Sequence, residues 1–335
     1  MGDAIARGRT RYLLDVQDVS VRFRVYEGYL KVLDGVNFNV RPGERVGLVG
    51  ETGCGKTTLM KTIMRILAPN AAKPEGKVFF EGSELLGTGR GGPRVPRKRA
   101  MAMVFQDPTA ALNPVFTVGS QMADAIRAAI GTGADRGEVR KIAVDTLKGV
   151  SLADPERILN SYPFQLSGGM RQRVCIAMAI AVPGGLLIAD EPGTSLDVTI
   201  QDQILRLLQD IVQRKGTSVI LITHSLGVVR EMSDRAYVMY AGSMVENAPS
   251  RELVRDPLHP YTRGLVVSVP RLTGGGIAVG ISGRIPNYLN PPTGCRFHPR
   301  CPHFLPVCSQ QRPSFYEVRD GHHVACFLYG GGHDG

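Results

Sequence analysis

Two short stretches hold residues whose types and spacing can handle phosphate. The first, GLVGETGCGKTTLM, contains the pattern G-x-x-x-x-G-K-T as Gly50, Gly55, Lys56 and Thr57. It follows an apolar run, ERVGLVG (44–50), and opens a run of helical period, KTTLMKTIMRILAP (56–69), the context this pattern needs in order to cradle phosphate. Glycines let the backbone curl so that successive N–H groups face inward, and the helix N-terminus adds the positive end of its dipole. Lys56 is then expected to bridge the β- and γ-phosphates of a nucleoside triphosphate, and the Thr57 hydroxyl to bind Mg2+. The second stretch, LLIADE (186–191), is an apolar run that ends in two acids. Behind a phosphate loop, Asp190 is expected to hold Mg2+, through water. Glu191 is expected to act as the general base on the attacking water.

A third concentration of reactive side chains lies far along the chain. Cys295, Cys301, Cys308 and Cys326 are spaced C-x5-C-x6-C-x17-C, whereas the other two cysteines, Cys54 and Cys175, stand well apart from them. These spacings lack the paired C-x2-C knuckles of zinc ribbons and do not match the common ferredoxin runs. On the residues alone three readings stay open: a 4Fe–4S cluster held by four thiolates, a structural zinc, or free buried thiols. His298, His303, His322 and His323 lie close enough in sequence to substitute as ligands, although surface histidines are the simpler account of them.

The elements that must position these residues follow from periodicity. Short alternating runs over residues 12–49 read as strands, and KTTLMKTIMRILAP reads as a helix that Pro69 stops. TVGSQMADAIRAAI (117–130) and DRGEVRKIAVDTLKGV (135–150) are the clearest helical segments of a mainly helical region, 116–160. Strand and helix then alternate through GGLLIAD, VTIQDQILRLLQDIVQRKG, TSVILIT and LGVVREMS. This rhythm predicts the α/β class, with a largely parallel sheet flanked by helices. Gly and Pro thicken over 270–294 and mark a boundary before the cysteines.

Composition sets outer limits. The 335 residues are 43% hydrophobic, enough for a packed core, and carry a formal net charge of +10, which favours acidic partners such as nucleotide phosphates, nucleic acid or a membrane face. RGGPRVPRKR (90–99) is a candidate basic patch, or simply a solvated loop. The opening MGDAIARGRTRYLLDV has arginines but no apolar stretch, so no secretory signal is expected. The longest apolar run, VCIAMAIAVPGGLLIA (174–189), is interrupted by Pro183-Gly184-Gly185 and is shorter than the ~20 residues of a membrane span. A cytoplasmic protein is expected, where structural disulfides are disfavoured.

Further motifs fall in an order that resembles the ATPases of ABC transporters. LSGGMRQR resembles their signature motif (Leu166, Ser167, Gly168, Gly169, Met170, Arg171, Gln172), and Gln106 in VFQDP resembles the Q-loop. Ser195, Leu196 and Asp197 resemble the D-loop, and His224 in LITHS the switch histidine. DPTAALNPVFTVGSQ, DEPGTSLDVTIQ, HPYTRGL and GCRFHPRC narrow the resemblance to the ATP-binding subunits of oligopeptide/dipeptide importers, with Met170 pointing to the D-type of two paired ATPases.

That resemblance implies a P-loop NTPase fold of the ABC type, with a RecA-like core, a helical subdomain and an N-terminal antiparallel β subdomain. It places the ATPase domain at 12–260, with the helical subdomain at about 107–165, and a small cysteine-containing C-terminal domain at 261–335. It implies ATP binding by Phe23, Gly50, Glu51, Thr52, Gly53, Cys54, Gly55, Lys56, Thr57 and Thr58, with Phe23 stacking on adenine and Tyr26 or Tyr29 as alternatives. Mg2+ would be held by Thr57, Gln106 and Asp190, with Glu191, His224 and Gln106 as the catalytic set.

In the family, ATP lies between the loop of one subunit and the signature of another, so partners are implied. These are a second homologous ATPase, two transmembrane permease subunits and an extracytoplasmic peptide-binding protein, with the chain peripheral on the cytoplasmic face of the cell membrane. Cargo would be di- or oligopeptide, with nickel, opines or oligosaccharides as alternatives. A non-transport ATPase acting on nucleic acid or the ribosome is the rival class, but the chain has neither two motor cores nor basic residues interleaved with aromatics. Related importer ATPases carry a 4Fe–4S cluster in the cysteine segment, which the resemblance therefore extends to Cys295, Cys301, Cys308 and Cys326. Remote in sequence from every ATP motif, the segment is expected to be structural or to aid assembly rather than to take part in hydrolysis. Three positions depart from the family pattern: Gly193 replaces a usual Thr, Ser225 a usual acid, and Cys54 a usual Ser.

Overall fold

The computed structural model describes residues 12–86, 100–181, 184–194, 196–268 and 280–330. The basic stretch 90–99 and Ser195 of the D-loop lie outside the described residues. The strands are β1 (Leu14–Val25), β2 (Gly28–Val40), β3 (Arg45–Val49), β4 (Glu75–Phe80), β5 (Ser83–Glu84), β6 (Ala100–Val104), β7 (Gly184–Asp190), β8 (Ser218–Thr223), β9 (Arg235–Tyr240), β10 (Ser243–Pro249), β11 (Tyr316–Arg319) and β12 (His322–Val324). The helices are α1 (Lys56–Ile63), α2 (Pro108–Ala111), α3 (Val118–Ile130), α4 (Arg136–Gly149), α5 (Pro155–Asn160), α6 (Gly168–Ala181), α7 (Val198–Lys215), α8 (Leu226–Met232), α9 (Ser250–Arg255), α10 (Pro260–Val267) and α11 (Pro306–Gln310). By packing, the described residues fall into two compact units. One draws on 12–41, 45–86, 222–268 and 280–330, the other on 42–44, 100–181, 184–194 and 196–221.

In the first unit β2, β1, β4 and β5 form an antiparallel sheet in that order. β1 slips register around Asp18, a non-glycine residue at φ 51, and so bends where its apolar alternation breaks. β3 pairs parallel with β9, and Val46, Leu48 and Val49 are all fully buried, as expected of a strand covered on both faces. From β9 the pairing turns antiparallel through β10, β12 and β11. The expected largely parallel sheet is thus mixed. The β9–β10 hairpin turns on Ala241 and Gly242, at φ 45 and 81, the two positive values that a tight hairpin turn requires. A Cβ on Gly242 would lie 1.9 Å from the Val32 carbonyl oxygen, so only glycine fits there.

The C-terminal segment joins this unit through β12. The buried Glu246 carboxylate accepts from the Leu258 and His259 amides at 2.7 and 3.0 Å and meets His322 Nε2 at 2.7 Å. Burial pushes His259 down to about 4, so that ring is neutral at ordinary pH, and its Nδ1 accepts from the Tyr261 amide at 3.0 Å, capping α10.

In the second unit β6 and β7 are parallel neighbours. The helical region forms as its N-caps dictate: Asp107, Thr117, Asp135 and Asp154 each accept from amides one turn into α2, α3, α4 and α5. Helices α3 and α4 fall within one residue of the expected segments. By contrast, α1 ends at Ile63, well short of Pro69. Arg65 takes a left-handed conformation at φ 60, and the Ile66 and Arg65 amides bond back to the Lys61 and Thr62 carbonyls. This reverse turn closes the helix without a glycine or proline.

Candidate active site

The phosphate loop sits between β3 and α1 in the first unit. α1 has the left-handed Gly55 (φ +110) at its N-cap and no side-chain cap hydrogen bond, and a helix N-terminus of this kind attracts an anion. A Cβ on Gly50 would meet the Met239 carbonyl oxygen at 2.2 Å, which explains the glycine at the head of the motif. Lys56 is buried, and its Nζ donates to the Gly50 and Glu51 carbonyls at 2.7 and 3.1 Å. The ammonium is thereby held inside the curl of the loop. Thr52 and Gly53 are exposed at the rim, and Thr57 and Thr58 are half-buried on the first turn of α1. Cys54, at the family's usual serine position, points inward. Burial raises its thiol pKa, so it acts as a small neutral filler 3.8 Å from Lys56 Nζ.

His224 is exposed at the end of β8. Ser225, in place of the usual acid, accepts from the Val228 amide at 3.4 Å and caps α8, a task that serine and aspartate perform about equally. Phe23 is half-buried near the tip of the β1–β2 hairpin, opposite Leu30, whereas Tyr26 is fully exposed in the turn and Tyr29 partly so.

The second unit positions the acids. β7 is buried to its end at Asp190, and Glu191 follows, buried and left-handed at φ 46. A non-glycine residue held in that conformation stores strain of the kind found at functional sites. The left-handed turn also redirects the chain, so Glu191 does not continue the strand. Gly193 at φ +98 explains one departure from the family pattern, since threonine would be strained in that conformation.

The signature is placed as a helix start. The Ser167 hydroxyl is exposed and accepts from the Met170 amide at 3.3 Å, at the head of the fourteen-residue α6. Leu166 and Gln172 are buried, while Met170 and Arg171 are half-buried. A Cβ on Gly168 would reach Leu196 Cδ2 at 3.1 Å, and one on Gly169 would reach Ile200 Cγ2 at 3.2 Å. The signature glycines are therefore small because the D-loop side lies directly against them. Asp197 accepts from the Ile200 amide at 3.0 Å and caps α7. Gln106 is exposed just past β6.

Three functional candidates were not legible in the motifs. Tyr261, Tyr288 and Arg300 of the C-terminal segment each bond the phosphate loop. The segment, expected to be structural or to aid assembly rather than to take part in hydrolysis, thus touches the phosphate loop, because sequence distance does not limit spatial contact. The four clustered thiols lie in each other's electrostatic reach, and Cys295 N donates to the Cys308 carbonyl at 2.8 Å. Burial raises Cys295 and Cys326 to about 11, and also raises Cys301. Among the described residues, however, no group of three or more His, Cys, Asp or Glu side chains is arranged to hold a metal ion. The expected metal-binding role thus receives no support from side-chain placement, the histidines included. No described helix is long and apolar enough to cross a membrane.

Comparisons with known proteins agree with this layout. Residues 33–194 match the family described as ABC transporter, and residues 245–308 match the oligopeptide/dipeptide transporter C-terminal region. A probable peptide ABC transporter ATP-binding protein of Sinorhizobium fredii is 47% identical over 94% of each chain. The dipeptide transport ATP-binding protein DppD of Bacillus subtilis is 42% identical, again over 94% of each. Among solved structures, the dimeric ATP-binding cassette MJ0796 bound to ADP and Pi superposes with a TM-score of 0.61 at 28% identity, covering 71% of this chain and 99% of that one.

Proposed function

The chain belongs to the family of ATP-binding subunits of oligopeptide/dipeptide ABC transporters, and from that premise we propose that it is the D-type member of a pair of ATPases powering peptide import. The observation that carries the reading is the pairing of a complete phosphate loop with an exposed signature helix start on one chain. Gly50 to Thr58 would bind the phosphates of ATP, with Phe23 on the adenine. Thr57, Asp190 and Gln106 would hold Mg2+, whose charge offsets the charge developing on the phosphates. Glu191 would take the proton of the attacking water, and His224 would fix its geometry against the γ-phosphate. Ser167, Gly168 and Gly169 would offer a hydroxyl and helix N-terminal amides to the γ-phosphate on the second ATPase, aided by Leu196 and Asp197. Closure around ATP and reopening after hydrolysis would then drive two permease subunits, with cargo delivered by an extracytoplasmic binding protein. In this scheme 12–260 is the motor and 261–335 the accessory domain.

The reading is tested by reconstituting the chain with its partner ATPase and membrane subunits in proteoliposomes. ATP-dependent uptake of di- or oligopeptide is expected. Uptake of nickel, opine or oligosaccharide instead would reassign the cargo, and salt-sensitive nucleic-acid binding without copurifying membrane subunits would overturn the transport role.

For the cysteines, a cubane takes one thiolate at each of four irons, so its ligands need not meet on one ion. A 4Fe–4S cluster on Cys295, Cys301, Cys308 and Cys326 therefore rests on the four-thiolate donor set and on the resemblance of this segment to related importer ATPases, not on the placement of the side chains. Anaerobically purified protein should then be brown, with about four irons and matching acid-labile sulfide per chain. A colourless preparation without iron counts against it, and stoichiometric zinc would replace it.

A further inference from the structure

We propose that Arg300 and Tyr288 are positioning residues for ATP binding, holding the phosphate loop in its binding shape through Glu51 and Gly53; this rests on the ATPase reading above. Arg300 is surrounded on every donor. Its Nη1 and Nη2 grip the Glu51 carboxylate at 2.9 and 3.1 Å. The same nitrogens reach Tyr240 Oη at 3.3 Å and the Ile281 carbonyl at 3.0 Å, and Nε reaches the Ser282 carbonyl at 2.8 Å. The Arg300 side chain is 6% exposed and that of Glu51 26%. Gly283, at φ +85, turns the chain so tightly that its Cβ would come within 3.2 Å of Arg300 Cγ. Such a two-pronged grip is specific to a planar guanidinium and is not reproduced by lysine.

Glu51 is the first residue after Gly50, inside the loop itself. A free carboxylate there would repel the phosphates that the loop must attract. Arg300 neutralises it and pulls it to the side of the C-terminal segment. The Glu51 backbone is fixed as well, because its N–H donates to the Tyr261 hydroxyl at 2.8 Å. At the rim, the Tyr288 hydroxyl donates to the Gly53 carbonyl at 2.7 Å. A peptide is planar and trans, so holding that carbonyl outward turns the next N–H, that of Cys54, into the loop. There it meets the Glu51 carbonyl at 3.2 Å.

The segment that supplies these groups is itself anchored. Phe297 packs edge-on against Tyr240 with ring centroids 5.0 Å apart and lies 5.5 Å from Tyr261. Arg296 donates to the Lys31 carbonyl at 3.1 Å and also to that of Ala241. Cys295 and Cys301 flank this block and pack against the same core as Phe297, Tyr240 and Tyr261.

The test compares four variants in the full chain: Arg300→Met, Tyr288→Phe, the double variant Glu51→Gln/Arg300→Met, and Arg312→Met. Arg312 ties the same segment to Ser243 Oγ at 3.3 Å and to the Asp34 carboxylate at 3.4 Å without touching the loop. ATPase rates of the assembled transporter and MgATP affinity of the full chain are measured, with melting temperature as the check on folding. Arg300→Met is expected to raise KM and Kd for ATP on the order of ten-fold with a smaller change in kcat. Tyr288→Phe, which loses one hydroxyl and should fold normally, raises both roughly three-fold. Removing the stranded carboxylate in the double variant restores most of the affinity, and Arg312→Met leaves it unchanged. Lower melting temperatures with unaltered KM and Kd in Arg300→Met and Tyr288→Phe would reduce the contacts to a structural brace and overturn the proposal. Absence of MgATP binding in the parent protein would instead overturn the ATPase reading.

Discussion

Glu191→Gln reduces kcat for ATP hydrolysis by about 100-fold or more while leaving MgATP affinity within a few-fold of the parent, in the expected result. Glutamine keeps the volume and one acceptor but cannot take a proton. The residue follows a strand whose last five residues are buried, next to Asp190 and in a left-handed conformation at φ 46. Its side chain is therefore aimed by backbone geometry that the substitution leaves intact. Single-turnover hydrolysis in the assembled transporter, alongside equilibrium MgATP titration, separates the two effects. Undiminished turnover would remove Glu191 from the role of base.

Lys56→Ala should fail one step earlier, at binding. The ammonium, only 5% exposed, now donates to the carbonyls of Gly50 and Glu51, inside the loop where phosphate oxygens would be met. Truncation removes the cation and leaves two carbonyls without their charged donor. A loss of roughly 100-fold in MgATP affinity is expected, about 3 kcal/mol. Titration calorimetry on the full chain reads it directly, and a change under about two-fold would show that Lys56 only closes the loop. The two variants thus divide the reaction: Lys56→Ala loses nucleotide, and Glu191→Gln keeps it without turning it over.

Several local features were readable because they depend on neighbours in sequence. The phosphate loop needs glycines at fixed offsets between a strand and a helix, and Gly50, Gly55 and Lys56 satisfy that without reference to the rest of the chain. The segments 117–130 and 135–150 were readable from their helical period for the same reason, and the caps that start them, Thr117 and Asp135, serve amides only two or three residues away. Even so, α1 stopped early, because Arg65 accepted a left-handed conformation that propensity alone assigns to glycine. The β9–β10 hairpin had a signal too, apolar RAYVMY followed by Ala-Gly, whose strength is plain only once both turn residues are seen at positive φ.

By itself, the sequence determined the chemistry available: a phosphate loop, a buried strand ending in two acids, a signature helix start and four clustered cysteines. These are contained in short windows whose physics is local. Only the tertiary structure decided what touches what. It set the signature glycines against Leu196 and Ile200, and it gave the largely parallel sheet an antiparallel edge of β10, β12 and β11. It also laid the cysteine segment on the phosphate loop, joining Arg300 to Glu51 across 249 residues of chain. No periodicity encodes such a pair. It exists because a charged fork and a carboxylate, brought together by the packing of Phe297, Tyr240 and Tyr261, are far more stable satisfied by each other than buried alone.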